Sequence, residues 1–210
     1  MRRIALVAGL LVLLISRPAA AQPPSPQGGF GGPREWVEYE DRSEFFFVNF
    51  PGQPVITTTT YQPQRGAPLP GRVYTVLDGA RRYMVTVVNM EKAAVNDVPG
   101  AIAWEAWNFR KRGGQVTYDA YGQVDRIAGH QLHINNPDKT QSFIGIYLHA
   151  RRLYILEARA PADSPGAVHF QQSLTILDEK GERVRYMIEP DGTRGARDMN
   201  RTGNIGGRVN

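Results

Sequence analysis

The sequence predicts an α+β fold, in which a mainly antiparallel β-sheet carries helices packed on it. Short runs of β-branched and aromatic residues alternate with turn signals that contain glycine or proline, as expected of strands joined in hairpins. Two longer segments, 101–112 and 165–177, show the composition and the spacing of apolar residues that are typical of helices. Strands in hairpins with two inserted helices indicate a sheet with helices on it.

The first strand segments are bounded by proline and glycine. Pro51-Gly52 stops an aromatic run, and Asp78-Gly79 is a hairpin turn signal between two further runs. The four threonines Thr57–Thr60 favour a strand because they are β-branched, and Pro54 ahead of them predicts an edge strand. Strands are therefore expected at 45–50, 55–61, 72–77 and 82–90.

The first helix is expected from Ala101 to Arg112, closed by Gly113-Gly114. Trp104 and Trp107 widen its apolar arc, so the helix is either deeply packed or presents its tryptophan flank to something else. Strands are expected to resume at 116–125, 131–134, 142–149 and 153–159, and the tip of the last hairpin is expected at Ala150-Arg151.

The second helix is expected from Pro165 to Leu177, with Ser164 as its N-cap. Gln171 and Gln172 are expected to point away from the sheet, and a short closing strand is expected at 183–188. The predicted apolar stripe of this helix repeats at helical spacing and consists of Ala167, Phe170, Leu174 and Leu177.

Composition limits the classes of protein. A chain of 210 residues matches about one domain with tails, and the absence of cysteine excludes a disulfide framework, a zinc finger and a thiolate nucleophile. The formal net charge of +5 arises at the two ends, because residues 22–189 carry equal numbers of basic and acidic side chains. No nucleic-acid partner is therefore predicted.

Residues 1–21 are interpreted as a signal peptide. Arg2 and Arg3 precede an apolar run at 4–15, and an Ala-x-Ala cleavage pattern ends at Ala21. The run is shorter than the ~20 residues that span a bilayer. We therefore expect a periplasmic or secreted protein with no transmembrane segment after signal cleavage.

The remaining chain divides by composition into three parts. Residues 22–33 are expected to be a flexible leader rich in proline and glycine, and residues 34–189 a single α+β domain. Residues 190–210, rich in glycine, arginine and asparagine, are expected to be a disordered tail.

Several sequence features resemble one known group. The stretch 45–54, Phe-Phe-Phe-Val-Asn-Phe-Pro-Gly-Gln-Pro, is similar to an opening motif of many exported bacterial proteins. The order of the later features is similar too: Gly129 ahead of a strand, a hairpin through 151–154, an Asp163-Ser164 cap, and a helix holding Phe170 and Ser173-Leu174. Together, over roughly 36–177, they resemble the PsbP-like α/β/α sandwich group. The resemblance implies a non-enzymatic accessory or binding protein and carries no catalytic residue.

The sequence holds no motif for phosphate, dinucleotide or zinc-dependent chemistry, and neither a cofactor nor a metal is expected. His130 and His133 are three residues apart on a predicted strand, so they are expected on opposite faces and not as joint metal ligands. His149 and His169 are interpreted as surface or satisfied polar residues. Nucleophilic catalysis would need Ser142 or Ser173 beside a histidine and an acid.

Two pairs of residues are the candidate binding residues. Trp104 and Trp107 would present an aromatic surface, and Arg151 and Arg152 at the hairpin tip would hold an anion. The basic run at 110–112 is interpreted as a helix end that interacts favourably with the helix dipole.

The sequence is therefore interpreted as a non-enzymatic, soluble periplasmic accessory or binding protein, with an unknown protein or small-molecule partner in the cell envelope. One alternative is a lipocalin-type carrier of a small apolar molecule, for which several strands and aromatic residues would form a closed sheet. Another is a hydrolase whose site is assembled from distant residues.

Overall fold

The computed structural model describes residues 36–162, 164 and 167–198. The predicted signal peptide, the leader, Asp163, Pro165 and residues 199–210 lie outside the described residues. The described strands are β1 (Val37–Asp41), β2 (Phe46–Phe50), β3 (Val55–Tyr61), β4 (Leu69–Asp78), β5 (Arg81–Asn89), β6 (Gln115–Val124), β7 (Ile127–Asn135), β8 (Thr140–His149), β9 (Arg152–Pro161), β10 (Thr175–Ile176), β11 (Tyr186–Ile188) and β12 (Arg194–Arg197). The helices are α1 (Ala101–Arg110), α2 (Ala167–Gln171) and a 3₁₀ turn, Val95–Asp97.

A seven-stranded antiparallel sheet forms the centre, in the order β3-β4-β5-β9-β8-β7-β6. The chain crosses through α1 from β5 to the far edge at β6, and then returns strand by strand until β9 pairs with β5. The mainly antiparallel sheet predicted from the sequence is thereby confirmed. Since β3 and β6 are the two ends of this order, the described strands form an open sheet and not the closed sheet that a lipocalin-type carrier would need.

One face of this sheet, the small-sheet face, carries Tyr83, Val85 and Leu156. It is covered by α2 and by a second antiparallel sheet in the order β1-β2-β10. Phe46 and Phe50 of β2 are completely buried there. The opposite face, the helix face, is covered by α1. Its core residues pack with Phe109 of the helix and are Val88, Leu132, Ile134, Ile144, Ile146, Leu153 and Ile155.

The turn signals of the sequence have the expected conformations. Gly79 has φ of +60° between β4 and β5, and Gly113 has φ of +86° after α1. A residue without Cβ adopts both values without steric cost. Ala150 and Arg151, at the predicted hairpin tip, have φ of +42° and +57°. The edge strand predicted from four threonines is also confirmed, because β3 ends the strand order.

Helix α1 is shorter than the expected helix. It ends at Arg110 rather than Arg112. Its Glu105 is buried, at 7% exposed, and the Asn108 side chain donates a hydrogen bond to the Glu105 carboxylate at 3.3 Å. Burial raises the pKa of Glu105 above its ordinary value.

The second helix is much shorter than expected, since α2 ends at Gln171. Leu174 and Leu177 are buried, but the chain between them forms β10 and pairs with β2. Leu174 and Leu177 are therefore spaced as they would be in a helix, although neither belongs to one. Gln171 is 1% exposed, so its expected outward orientation is wrong. Its side-chain amide donates to the carbonyl of Ile144 in β8, a long-range contact with no local signature.

The prediction that residues 190–210 form a disordered tail is wrong for residues 194–197, which form a strand. The predicted closing strand forms β11, which pairs with β12 at 194–197. Arg197 reaches back to Asp178 at 2.7 Å, and the Asp198 amide donates to the Arg185 carbonyl at 2.7 Å. In the part of the chain that the structure describes, no helix has the length and apolar character needed to cross a membrane.

Candidate functional site: a cleft beside the β8–β9 hairpin

A cleft of about 500 Å³ lies between the β8–β9 hairpin tip, the residue before β2 and the C-terminal segment. Its lining combines aromatic and aliphatic side chains with charged ones. The lining residues are Phe45, Glu91, His149, Ala150, Arg152, Tyr154, Leu177, Asp178, Glu179, Lys180, Val184, Tyr186 and Arg197. The volume of this cleft lies within the range of sites for small organic ligands.

The wall formed by Phe45, Arg152 and Tyr154 is held by several contacts. The Arg152 guanidinium lies 4.4 Å from the Phe45 ring centroid, and its Nε donates to Glu44 at 3.4 Å. The Tyr154 hydroxyl donates to the Glu44 carbonyl at 3.0 Å. Burial is the main cause of a raised pKa for Tyr154, so this hydroxyl stays protonated.

Phe45 itself has an unusual backbone conformation, with φ of +57°. A bulky residue in the left-handed region is strained by roughly 1–3 kcal/mol, and such strain is often found at binding sites. The carbonyl of Phe45 accepts a hydrogen bond from the Leu177 amide at 2.9 Å, which joins this wall to the C-terminal segment.

A second part of the lining is formed by His149 and Tyr186, whose ring centroids are 5.9 Å apart in an edge-to-face arrangement. The guanidinium of Arg194 lies 4.5 Å from the Tyr186 ring centroid. Burial, and then the positive charges of Arg194 and Arg197, lower the pKa of His149. The imidazole is therefore neutral at neutral pH.

Arg197 and Asp178, both lining residues, join two parts of the C-terminal segment through an ion pair. Besides its ion pair with Arg197, the carboxylate of Asp178 accepts hydrogen bonds from the amides of Lys180 and Glu182 at 2.9 and 2.8 Å. Burial acts to raise the pKa of Asp178, but these hydrogen bonds and Arg197 together lower it. Asp178 is thus an ionised residue that the protein itself neutralises.

The structure separates the two arginines predicted to hold an anion. Arg152 lines the cleft, whereas the Nη2 of Arg151 donates to three backbone carbonyls, those of Met90, Glu91 and Ala93, at 2.9, 3.1 and 2.6 Å. Arg151 therefore ties the hairpin tip to the segment after β5.

Trp104 and Trp107 contact each other, but neither residue lines the cleft. Their rings stack at 4.8 Å with an interplanar angle of 26°, and the Trp104 indole donates to the Gln62 carbonyl at 3.2 Å. Lys111 Nζ lies 3.7 Å from the Trp107 ring centroid. A shallow depression of about 330 Å³ beside the pair shares no lining residue with the cleft.

The predicted histidine arrangement is confirmed, because His130 and His133 lie on opposite faces of β7. His130 pairs in register with Ile146 on the helix face, and His133 pairs with Phe143 on the other face. His133 contacts Gln171 at 3.0 Å, and the His130 ring lies 2.6 Å from the carboxylate of Asp119.

The two candidate serine nucleophiles contact other groups. Ser142 donates to the buried carboxylate of Glu157 at 3.0 Å, and Ser173 donates to the Phe170 carbonyl at 2.9 Å. Arg112 donates to the other oxygen of Glu157 at 3.2 Å. Across the described ranges, no group of three or more His, Cys, Asp and Glu side chains is arranged to hold a metal ion.

We expect Asp119 to make stability depend on acid pH. A bidentate hydrogen bond from Arg110 lowers the pKa of Asp119 from 3.8 to about 2. Because the folded-state pKa is depressed, this contribution is present above about pH 4 and is lost as the pH falls through about 2. The Arg110→Gln variant should be less stable than the parent by at most about 1 kcal/mol at pH 5, since both side chains are about one-third exposed.

Urea melts of the parent and of R110Q at pH 5 and pH 2 measure this effect. The difference in the free energy of unfolding should shrink at pH 2. An equal difference at both values would show that Arg110 acts through packing and not through the charge of Asp119.

Sequence reasoning missed most of the cleft. Arg152 was a candidate, but Tyr186 and Arg197 approach His149 from segments 37 and 48 residues later in the chain. The composition of the expected tail gave no indication that Arg197 would be placed in a strand.

Comparison of the chain with models of known protein families and with curated proteins gives no match. Among solved structures, the chain is similar to the solution structure of cyanobacterial PsbP (CyanoP) from Synechocystis sp. PCC 6803. The sequence identity is 11% and the TM-score is 0.43, over 74% of this chain and 100% of that chain.

Proposed function

We propose that this chain is a non-enzymatic, periplasmic or secreted binding protein with a PsbP-like sandwich, and that its ligand occupies the cleft beside the β8–β9 hairpin. The observation that carries the proposal is the cleft itself. Its volume of about 500 Å³ falls within the range of small-molecule sites, and its lining combines aromatic and aliphatic side chains with charged ones, of which Arg152 and Arg197 are held in ion pairs.

The contacts around the cleft indicate that it exists before a ligand arrives. Tyr154, Arg152 and Phe45 hold one another through backbone and side-chain contacts, and Arg197 holds the other wall through Asp178. A site whose walls are already ordered loses less conformational entropy on binding. The stacked tryptophan pair is a weaker candidate, because Trp104 and Lys111 already contact the Trp107 ring, although Trp107 is 43% exposed.

The two alternatives have less support. A carrier of the lipocalin type needs the interior of a closed sheet, and here the small-sheet face is filled by β2 and α2. A hydrolase needs an activated nucleophile. Ser142 and Ser173 donate to Glu157 and to a backbone carbonyl, and the bonds described for His130 are to Asp119 and Arg110.

The uncharged fluorescent probe N-phenyl-1-naphthylamine tests the proposal on the mature full-length chain. We expect saturable binding with increased fluorescence, because the naphthyl group can replace water against Tyr154 and Tyr186. Tyr186→Ser should weaken binding by about tenfold, since one aromatic contact contributes roughly 0.5–1.5 kcal/mol beyond its buried area.

Tyr121→Ser is the matched control, because Tyr121 lies on β6 and is 92% exposed. It should bind the probe as the parent does. Absence of saturable binding, or equal weakening by both substitutions, would refute the cleft as the ligand site.

A further inference from the structure

One cation beside the cleft, Arg194, lies against the lining residue Tyr186, with its guanidinium 4.5 Å from the ring centroid. Arg197 lines the cleft itself, but it is ion-paired with Asp178 and lies 3.9 Å from Glu182. Among the described residues, neither Arg194 nor the exposed Lys180 has a carboxylate within 4.0 Å. A guanidinium that lies on an aromatic ring, with no described carboxylate at ion-pair distance, can bind an anion from solution.

The acidic residues of the cleft that are held in ion pairs are bound to arginines other than Arg194. Asp178 is engaged by Arg197 and by two backbone amides, and Glu44 is engaged by Arg152. Glu91 and Glu179 are exposed, as Arg194 and Lys180 are, so solvent screens all four of these charges. The charged groups that act on His149 are Arg194 and Arg197, both cations.

We infer that the ligand of this cleft is an organic anion, with an apolar or aromatic body against Phe45, Tyr154 and Tyr186 and its charged group beside Arg194. A carboxylate, sulfonate or phosphate has the acceptor geometry that a guanidinium recognises. This inference rests on the proposed function, because it assigns a chemical class to the ligand of the same cleft.

Binding of such an anion is coupled to uptake of a proton by His149. In the free protein, burial and the charges of Arg194 and Arg197 lower the pKa of His149 and so disfavour the imidazolium. A bound anion offsets the two arginines and raises the pKa of His149 towards its ordinary value. Since the complex holds more protons than the free protein, affinity increases as the pH falls from about 8 to about 6.

Two matched probes separate this inference from the proposed function. 8-Anilinonaphthalene-1-sulfonate carries the same N-phenylnaphthylamine body as the uncharged probe, with a sulfonate added. At low ionic strength, we expect the parent to bind the sulfonate about tenfold more tightly than the uncharged probe, because a charge-assisted contact is added. Arg194→Gln should remove this preference, which is measured as the ratio of the affinities of the two probes for the same variant.

Arg65→Gln is the charge-matched control, since Arg65 lies in a separate depression beside Trp104. It should retain the preference of the parent for the sulfonate. In the pH series, the affinity of the parent for the sulfonate should increase several-fold from pH 8 to pH 6, and His149→Gln should abolish that increase.

Each other outcome has a definite meaning. If the uncharged probe binds and the sulfonate binds no more tightly, the cleft is a ligand site and the inference of an anionic ligand is wrong. A preference for the sulfonate that survives R194Q also overturns it, because the charge is then recognised elsewhere. If neither probe binds, the proposed function itself fails.

Discussion

Replacing Phe170 by alanine is expected to lower the free energy of unfolding by about 3–5 kcal/mol. Phe170 of α2 is completely buried, and its ring centroid lies 5.2 Å from that of Phe50 and 5.3 Å from that of Tyr83. One side chain thus joins α2, the small sheet and the central sheet. Alanine would leave a cavity that three separate elements cannot close together. The loss is a large share of the ~5–15 kcal/mol typical of a domain.

Gln172→Ala is the control for Phe170→Ala, and urea melts of both variants provide the measurement. Gln172 is exposed, so alanine there should change stability by less than about 0.5 kcal/mol. A Phe170→Ala protein that melts like the parent would show that α2 does not pack as described. Greater damage from Gln172→Ala would show that the helix is rotated.

Gly129→Ala is the second substitution with a large expected effect, a loss of about 3 kcal/mol. Gly129 lies in β7, paired with Gly122 of β6 on one side and Tyr147 of β8 on the other. A Cβ at this position would overlap the carbonyl oxygen of Ile146 and the ring of Tyr147. The carbonyl belongs to the backbone of the adjacent strand, so relief requires β7 and β8 to separate locally.

Gly100→Ala measures the general effect of adding a methyl group to a glycine in the same chain. A Cβ at Gly100 would meet only the Asp97 carbonyl oxygen, at an ordinary 3.9 Å, and φ is −81°. Thermal melts should place this variant within about 0.5 kcal/mol of the parent. If Gly129→Ala were equally mild, the close approach of β7 to β8 would be wrong.

Features set by neighbouring residues were predictable from the sequence. Asp78-Gly79 predicted the β4–β5 hairpin, because its turn needs a residue that accepts positive φ. Thr57–Thr60 predicted the edge strand through side-chain shape and polarity. His130 and His133 were placed on opposite faces by strand alternation alone. Each of these depends on a few consecutive residues.

The end of α2 depended on residues far away in the chain. Phe170, Leu174 and Leu177 repeat as a helix would, but Thr175 and Ile176 gain backbone partners in β2, more than 120 residues earlier. Because a strand can bury the same side chains and also pair its backbone with a neighbour, the periodic pattern alone could not decide between the two.

The candidate site likewise combines features that were predictable from neighbouring residues with features that depend on distant ones. The sequence by itself determined that Arg152 lies by a hairpin tip and that His149 is near it, because hairpins are local. Only the tertiary structure decided that Tyr186, Arg194 and Arg197 meet His149, through the pairing of β11 with β12 and the ion pair of Arg197 with Asp178. The spacing of apolar residues along the chain indicates which face of a helix or strand is apolar. It does not indicate which distant strand will pair with that element, and the walls of this cleft are made by such pairings.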